Sequence, residues 1–291
     1  MAIDFDRLMN LHMPEVTHHY GPRDTMFYAL SVGLGADPLD RDQLAFVTEK
    51  DQRILPTFAT ILGHVGLWTH HPDAGIDASH VLHGAHSAIL HRPLPIEATI
   101  LARFRVADVV DKGAGKGAFV VTETEVSNKD SGEKLVTVRD IVVCRADGGF
   151  GGPPRPPLPP PHVVPDRAPD HVCDLPSLPQ TALLYRLNGD DNPLHYDPDY
   201  AASAGFPGPV LHGLATYGIA GHAILGTLCD YDPTRLRALS CRFVAPAYPG
   251  ETFRTELWLD EGLDGPVVSY RTRALERDVV VLSNGRAEIA L

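Results

Sequence analysis

Residues 211–229 hold no Asp, Glu, Lys or Arg, and only His212 and His222 could bring a charge there by protonation. A run of that length and polarity belongs either in a membrane or inside a folded domain. Gly213, Gly218, Gly221 and Gly226, together with the lack of basic flanks, argue against a membrane span. A helix that is apolar on every side is then a core helix, and other elements must wrap it. The sequence supplies them directly afterwards. RALSCRFVAPAYP, ETFRTELWLDE, PVVSYRTRAL and DVVVLSNGRAEIAL each run with strand-like alternation.

The first half follows the same plan. Residues 24–35, DTMFYALSVGLG, read as a short apolar helix or buried segment ending at glycine. Residues 54–66 form a second apolar segment, broken near its start by Pro56. From Ala98 the pattern turns to strands: ATILARFRVADVV, GAFVVTETEV and KLVTVRDIVVC, separated by glycine-containing turns at 111–117 and 128–133. This predicts an antiparallel meander. Between the halves, residues 153–169 carry nine prolines, a density that no core helix or strand tolerates. The stretch reads as an extended, semi-rigid connector, or alternatively as a proline-rich ligand for an SH3-type domain. The similar size of the flanking halves favours the connector. The expected organisation is a first repeat over 1–147, a connector over 148–171 and a second repeat over 172–291.

Short echoes support a duplication. Val81-Leu82-His83-Gly84 recurs as Val210-Leu211-His212-Gly213, and Pro93-Leu94-Pro95 loosely matches Ala247-Tyr248-Pro249. Weaker still is Tyr28 to Gly33 against Tyr185 to Gly189. A strand-rich half around one buried helix is the hot-dog plan, an α+β architecture.

A net charge of −12 leaves no broad basic face for nucleic acid, and an anionic ligand would need a local basic pocket. The scattered Cys144, Cys173, Cys229 and Cys241 read as free thiols in a reducing compartment. MAIDFDRLMNLHMPEV has no apolar signal core, and Ile289-Ala290-Leu291 is not a Ser-Lys-Leu type address. A cytoplasmic protein without a membrane anchor is expected.

The chemistry concentrates in residues 185–224. Asp190, Asn192 and His195 lie within six residues, and Gly213 opens the uncharged helix. Gly189 and Pro193 make a continuous helix here unfavourable, so a loop can turn Asp190 and His195 toward one water as an acid–base pair. The plainer reading has Asp190 and Asn192 as turn residues and His195 as a cap. Asp197, before Pro198, is expected to cap a short helix. The N-terminus of a buried helix offers unpaired N–H groups and a positive dipole end, and Gly213 would let a ligand oxygen approach them. A plain glycine start to a helix is the alternative. Seven histidines fall between His64 and His91, but no spacing matches a zinc signature and no acidic partner sits at helical distance, so no metal is expected.

Tyr185-Arg-Leu-Asn-Gly-Asp-Asp-Asn-Pro-Leu-His-Tyr-Asp-Pro198 closely resembles the hydratase 2 motif of the MaoC-like dehydratase family, which includes the (R)-specific type 2 enoyl-CoA hydratases. The resemblance continues through Ala204 to Gly213 and Arg242 to Thr252. It reaches the first half through Leu55-Pro-Thr-Phe58, Val81 to Gly84, Pro93-Leu-Pro95 and Ala107 to Gly113. Asn188 departs from the serine common at its place. The resemblance implies a double hot-dog with one active site per chain and a homodimer. In it, Asp190 and His195 would hold the catalytic water, Asn192 would orient it and the Gly213 amide would receive the thioester oxygen. CoA contacts would fall at His83, Gly84, Lys112 and Phe243, with Asp191, Pro193 and Leu194 completing the loop around the substrate. The implied reaction is reversible hydration of a trans-2-enoyl-CoA to the (R)-3-hydroxyacyl-CoA, with CoA part of the substrate and no separate cofactor. An acyl-CoA thioesterase and a catalytically silent acyl-CoA-binding subunit remain the competing readings.

Overall fold

In the computed structural model, which describes residues 3–262 and 265–290, each of the strand-patterned segments forms a strand. The first half contributes β1 (Val16–Tyr20), β2 (Val81–Leu90), β3 (Ala98–Asp111), β4 (Ala118–Asn128) and β5 (Lys134–Cys144). The second contributes β6 (His171–Pro176), β7 (Leu236–Phe243), β8 (Thr252–Gly262), β9 (Gly265–Ala274) and β10 (Val279–Ile289). Three of these, β1, β2 and β6, carry no clean alternation. β1 and β6 are the largely exposed edge strands, and β2 is kinked by a bulge between His83 and Ala85.

The strands form one antiparallel sheet in the order β1-β3-β4-β5-β2-β7-β10-β9-β8-β6. The two halves mirror each other across the β2–β7 seam, where Ala85 pairs with Arg242 and Ile89 with Ala238. Short helices decorate the sheet: α1 (Phe5–Met9), α2 (Pro22–Ser31), α3 (Arg41–Leu44), α4 (Thr181–Tyr185) and α5 (Pro198–Ser203). The long one is α6 (Gly213–Leu228), whose residues from Ala215 to Leu225 are all buried. Its Tyr217 hydroxyl donates to Leu239 O on β7 at 2.9 Å. This is the double hot-dog arrangement, and no helix among the described residues is long and apolar enough to cross a membrane.

Among the described residues the first half has no counterpart of α6. Its apolar segment forms only a six-residue 3-10 helix, Pro56–Ile61. The helix α6 covers both halves, and its glycines allow the approach. A Cβ on Gly221 would lie 2.5 Å from Thr57 Cγ2, and one on Gly218 would lie 2.8 Å from Val32 Cγ1.

The echoes fare unequally. Val81–Gly84 begins a strand whereas Val210–Gly213 runs into a helix, so this four-letter repeat is not a structural one. The weaker echo marks a real equivalence. Tyr28 on α2 and Tyr185 on α4 are both buried, their rings lie 6.0 Å apart, and each is followed by a left-handed glycine, Gly33 (φ 91) and Gly189 (φ 113). The Pro95 and Pro249 segments likewise occupy matching β2–β3 and β7–β8 connections. Residues 148–170 contain no helix or strand.

Candidate active site

After α4 and a 3-10 turn over Arg186–Asn188, Gly189 takes the left-handed conformation that reverses the chain. Asp190 follows, half-buried, and accepts from the Asn192 backbone N–H at 3.3 Å. Asn192 caps the 3-10 turn Pro193–His195, its Oδ1 accepting from Leu194 N at 3.1 Å. The turn chemistry expected of Asp190 and Asn192 is therefore present, and it serves to aim the loop. Asp197 caps α5 as expected. A second strap holds the loop to the segment before α6. Val210 N donates to Leu194 O at 3.2 Å, and His195 Nδ1 lies 2.8 Å from Val210 O. A carbonyl only accepts, so Nδ1 carries the proton and Nε2 keeps its lone pair. Burial pushes His195 below the ordinary imidazole value, against the opposing pull of the Val210 carbonyl and of Asp190.

His212, which sequence reasoning did not place in the site, stacks on His195 with ring centroids 3.7 Å apart and 24° between planes. Its Nε2 lies 3.2 Å from Asp190 O, and the buried Tyr185 ring supports it at 4.9 Å. Burial and the neighbouring His195 push it down to about 4. The available signal was its position directly before the helix-opening glycine. Atoms of Asp190, His195 and His212 suited to hold a ligand lie within 4.8 Å of one another. A metal at about 2.0 Å from two imidazoles needs their lone pairs to converge, and near-parallel stacked rings direct them side by side. A water between a carboxylate and a ring nitrogen fits the spacing better.

The helix mouth adjoins this group. His212 is the N-cap of α6 and offers no side-chain cap. Ala215 and Thr216 N–H already donate to His212 O, which leaves those of Gly213 and Leu214 for a ligand. Phe243, at the end of β7, walls the spot, and a Cβ on Gly213 would meet its ring at 3.0 Å. The His83 ring lies 4.6 Å from Phe243, so the structure brings His83, Phe243 and Gly213 together. Asp191 is exposed at the loop's rim, Pro193 and Leu194 are half-buried in it, and Gly84 follows His83 at the bulge of β2. Lys112 stands on the β3–β4 turn, its ammonium 4.5 Å from the Phe119 ring centroid.

One premise about the histidines is corrected. Asp77 does sit at helical distance, three residues before His80, with His80 Nδ1 2.9 Å from its Oδ2, and a further acidic partner is supplied across the sheet, because His86 on β2 pairs in register with Asp140 on β5. Asp140 Oδ1 accepts from His83 Nε2 at 2.8 Å and from His86 Nδ1 at 2.6 Å. Burial works to raise this carboxyl, and the two imidazoles outweigh it, holding it below the usual carboxylate range. Helical spacing could not reveal a pair made by strand register. These three residues form the second group of ligand-type atoms close enough to hold a cation.

Residues 162–278 match the MaoC-like domain family, and residues 18–146 match the MFE-2 hydratase 2 N-terminal domain. The chain is 39% identical to the enoyl-CoA hydratase ChsH3 of Mycobacterium tuberculosis, over 89% of this chain and 91% of that protein. It is also 39% identical to the peroxisomal enoyl-CoA hydratase 2 of Arabidopsis thaliana, over 96% of this chain and 93% of the relative. A MaoC-like dehydratase from Phytophthora capsici superposes with a TM-score of 0.84 at 29% identity, covering 99% of this chain and 98% of that one.

Proposed function

The chain belongs to the MaoC-like hydratase 2 family, and from that premise we propose that it reversibly hydrates trans-2-enoyl-CoA to (R)-3-hydroxyacyl-CoA. The observation that carries this reading is the fixed tautomer of His195 beside Asp190 at the mouth of α6. With Nδ1–H committed to Val210 O, Nε2 is the acceptor facing the water. The depressed pKa keeps the ring neutral near pH 7, ready to take a proton.

The thioester oxygen sits at the Gly213 and Leu214 N–H groups, where the helix dipole favours negative charge. Polarisation there makes C3 electrophilic. His195 removes a proton from the water while the Asp190 carboxylate holds the water's other hydrogen. The hydroxyl oxygen bonds to C3, the π electrons move toward the thioester, and the enolate charge rests on the oxygen at α6. His195 then returns its proton to C2 on the same face, so one water supplies both groups. Dehydration is the same path reversed. Asn192 is a positioning residue. Its Oδ1 is engaged in the turn, and its amide nitrogen is left to donate toward the site. Water is the reagent and the thioester is the electron sink, so the reaction needs no resident cofactor. The first half, with a 3-10 turn where the second has α6, is the wall toward which the acyl tail is placed. A strict preference for a four-carbon chain would overturn that placement.

The test follows loss of conjugated enoyl-thioester absorbance with crotonyl-CoA and trans-2-decenoyl-CoA, with product configuration read on a chiral column. Formation of the (R)-alcohol supports the reading. Release of free CoA thiol would make the protein a thioesterase, and CoA binding with no turnover of either substrate would make it a silent binder.

A further inference from the structure

Asp190 and His195 can share one water only if the two ends of their loop stay closed on each other. The backbone alone gives little help, since Gly189, just before Asp190, is exposed and left-handed (φ 113). The flanking side chains do more. Arg186 opens the 3-10 turn before the loop, and Tyr196 caps the 3-10 turn that ends it. The Arg186 guanidinium carbon lies over the Tyr196 ring, 4.7 Å from its centroid. This contact brackets both side chains of the pair. Its base is anchored as well. Asn188 Nδ2 donates to Tyr185 O at 3.0 Å and to Ser31 Oγ at 3.1 Å, which fixes the first turn to α2 of the first half.

The choice of partner for this cation departs from that of other arginines. Arg254 with Asp174 and Arg155 with Asp108 each hold a carboxylate at 2.7 Å. Among the described residues Arg186 has no carboxylate partner, although Asp190 and Asp191 follow in the same loop, and its Nε is buried without a hydrogen bond. A guanidinium free to swing would take a nearby carboxylate in a two-pronged pair. An aromatic face holds the cation and leaves the Asp190 carboxylate to the water.

The charge still bears on the imidazoles. Among the described residues, the charged and titratable groups facing stacked His195 and His212 are Asp190 from the loop, Tyr185 from α4 and Arg186 from the turn. Burial depresses His212 most and His195 next; the Arg186 charge works in the same direction, and Asp190 opposes all three. We propose that Arg186 and Tyr196 are positioning residues, a cation–π clasp that closes the loop around Asp190 and His195 and keeps the guanidinium off the Asp190 carboxylate. The proposal rests on the hydratase reading.

The test compares Arg186→Met, Tyr196→Ala, Tyr196→Phe and the Arg186→Met/Tyr196→Ala double variant with the wild type on crotonyl-CoA, beside thermal melts. Tyr196→Phe, the conservative variant, keeps the ring face and should retain kcat within about twofold. Arg186→Met and Tyr196→Ala should each lose about tenfold in kcat with KM and melting temperature unchanged. The double variant should lose no more than the slower single one, because both remove the same contact. Loss of the Arg186 charge should also move the acid limb of kcat/KM up by about half a pH unit. Additive losses, an equal loss in Tyr196→Phe, or a wild-type kcat in Arg186→Met would overturn the clasp. Absence of wild-type turnover would sink the hydratase reading instead, and histidine-selective NMR then judges the clasp. Proton uptake by the stacked pair, identified by the signals lost in His195→Gln, should begin at higher pH in Arg186→Met and not in Tyr196→Phe. An unchanged titration in Arg186→Met would overturn the proposal.

Discussion

The two halves lay their five strands in the same mirrored order, yet they differ in what they place against the sheet. The second half uses sixteen residues for α6, and the first uses six for a 3-10 turn that begins at a proline. Each half also presents histidine and aspartate near the seam: His195 with Asp190 in one, His83 and His86 with Asp140 in the other. The pair in the second half is the one the proposed mechanism uses: α6 begins beside it with the Gly213 and Leu214 N–H groups left for a ligand, and one imidazole nitrogen is kept as an acceptor. In the first half, the carboxylate takes both imidazole N–H groups on a single oxygen, which ties β2 to β5. On the proposed mechanism, similar residues build a reactive pair or a structural tie according to whether a helix N-terminus is at hand.

The largest expected effect tests this contrast directly. Asp190→Asn and His195→Gln should each lower kcat on crotonyl-CoA by about 10³-fold while the unfolding midpoint stays close to that of the wild type. Asp140→Ala should do the reverse, removing about 2 kcal/mol of stability by stranding the buried His86 N–H, with kcat within about tenfold of wild type. Urea denaturation and initial rates on the same preparations give both readings. Equal losses of kcat in the two halves would break the comparison and make Asp140 part of the reacting system.

What the sequence allowed in advance follows the same division. The strands from 98 to 144 and from 236 to 289 are legible because one face of each is buried, and burial writes a period of two. The helix α6 is legible because an uncharged run has few places to go. The loop from Asp190 to His195 is legible through its motif. The edge strands β1 and β6 carry no such period, since most of their side chains meet solvent. Asp140 is invisible as a partner of His86 because strand register, 54 residues apart in sequence, creates the contact. His212 is hidden for a similar reason: its stacking on His195 depends on the strap between Leu194 and Val210. The Val-Leu-His-Gly repeat misleads because four letters carry no structural period.

A second prediction concerns acid sensitivity, which should reside in the helix that only one half owns. His222 lies inside α6, near Tyr231 and Asp40, and burial pushes it from the ordinary 6.5 down to about 4. Folding lowers its pKa, so as pH falls the unfolded chain binds the proton first. Stability is therefore lost from about 6.5 downward through the folded value. His222→Gln should remove about 3 kcal/mol of the decline between pH 6.5 and 4 in urea titrations. An unchanged slope would place the acid-sensitive group elsewhere. A third and smaller effect probes the shared core. Gly221→Ala forces a methyl to within 2.5 Å of Thr57 Cγ2 and should cost about 2 kcal/mol, eased by the further change Thr57→Ser, which removes that methyl. Simple additivity of the two substitutions would show that α6 does not bear on the first half at this point.

The smallest expected effect separates two glycines that share the same dipeptide, His83-Gly84 and His212-Gly213. At Gly213 an added methyl meets only the edge of the Phe243 ring, at 3.0 Å, and that ring can yield by a few tenths of an ångström. Gly213→Ala should therefore fold normally. The methyl still crowds the ground over the first helical N–H groups, where charge develops, so kcat should fall about tenfold, less than losing a donor outright. At Gly84 an added methyl meets Val143 Cγ2 at 2.7 Å and the Ile141 carbonyl oxygen at 3.1 Å, inside the β2–β5 ladder. Backbone cannot yield as a ring can, so Gly84→Ala should lower the unfolding midpoint and leave kcat near wild type. Rates at saturating crotonyl-CoA, set beside thermal melts, distinguish the two. A fall in kcat for Gly84→Ala with an unchanged melt would mean that the strand glycine, like the helical one, lies against the reacting thioester.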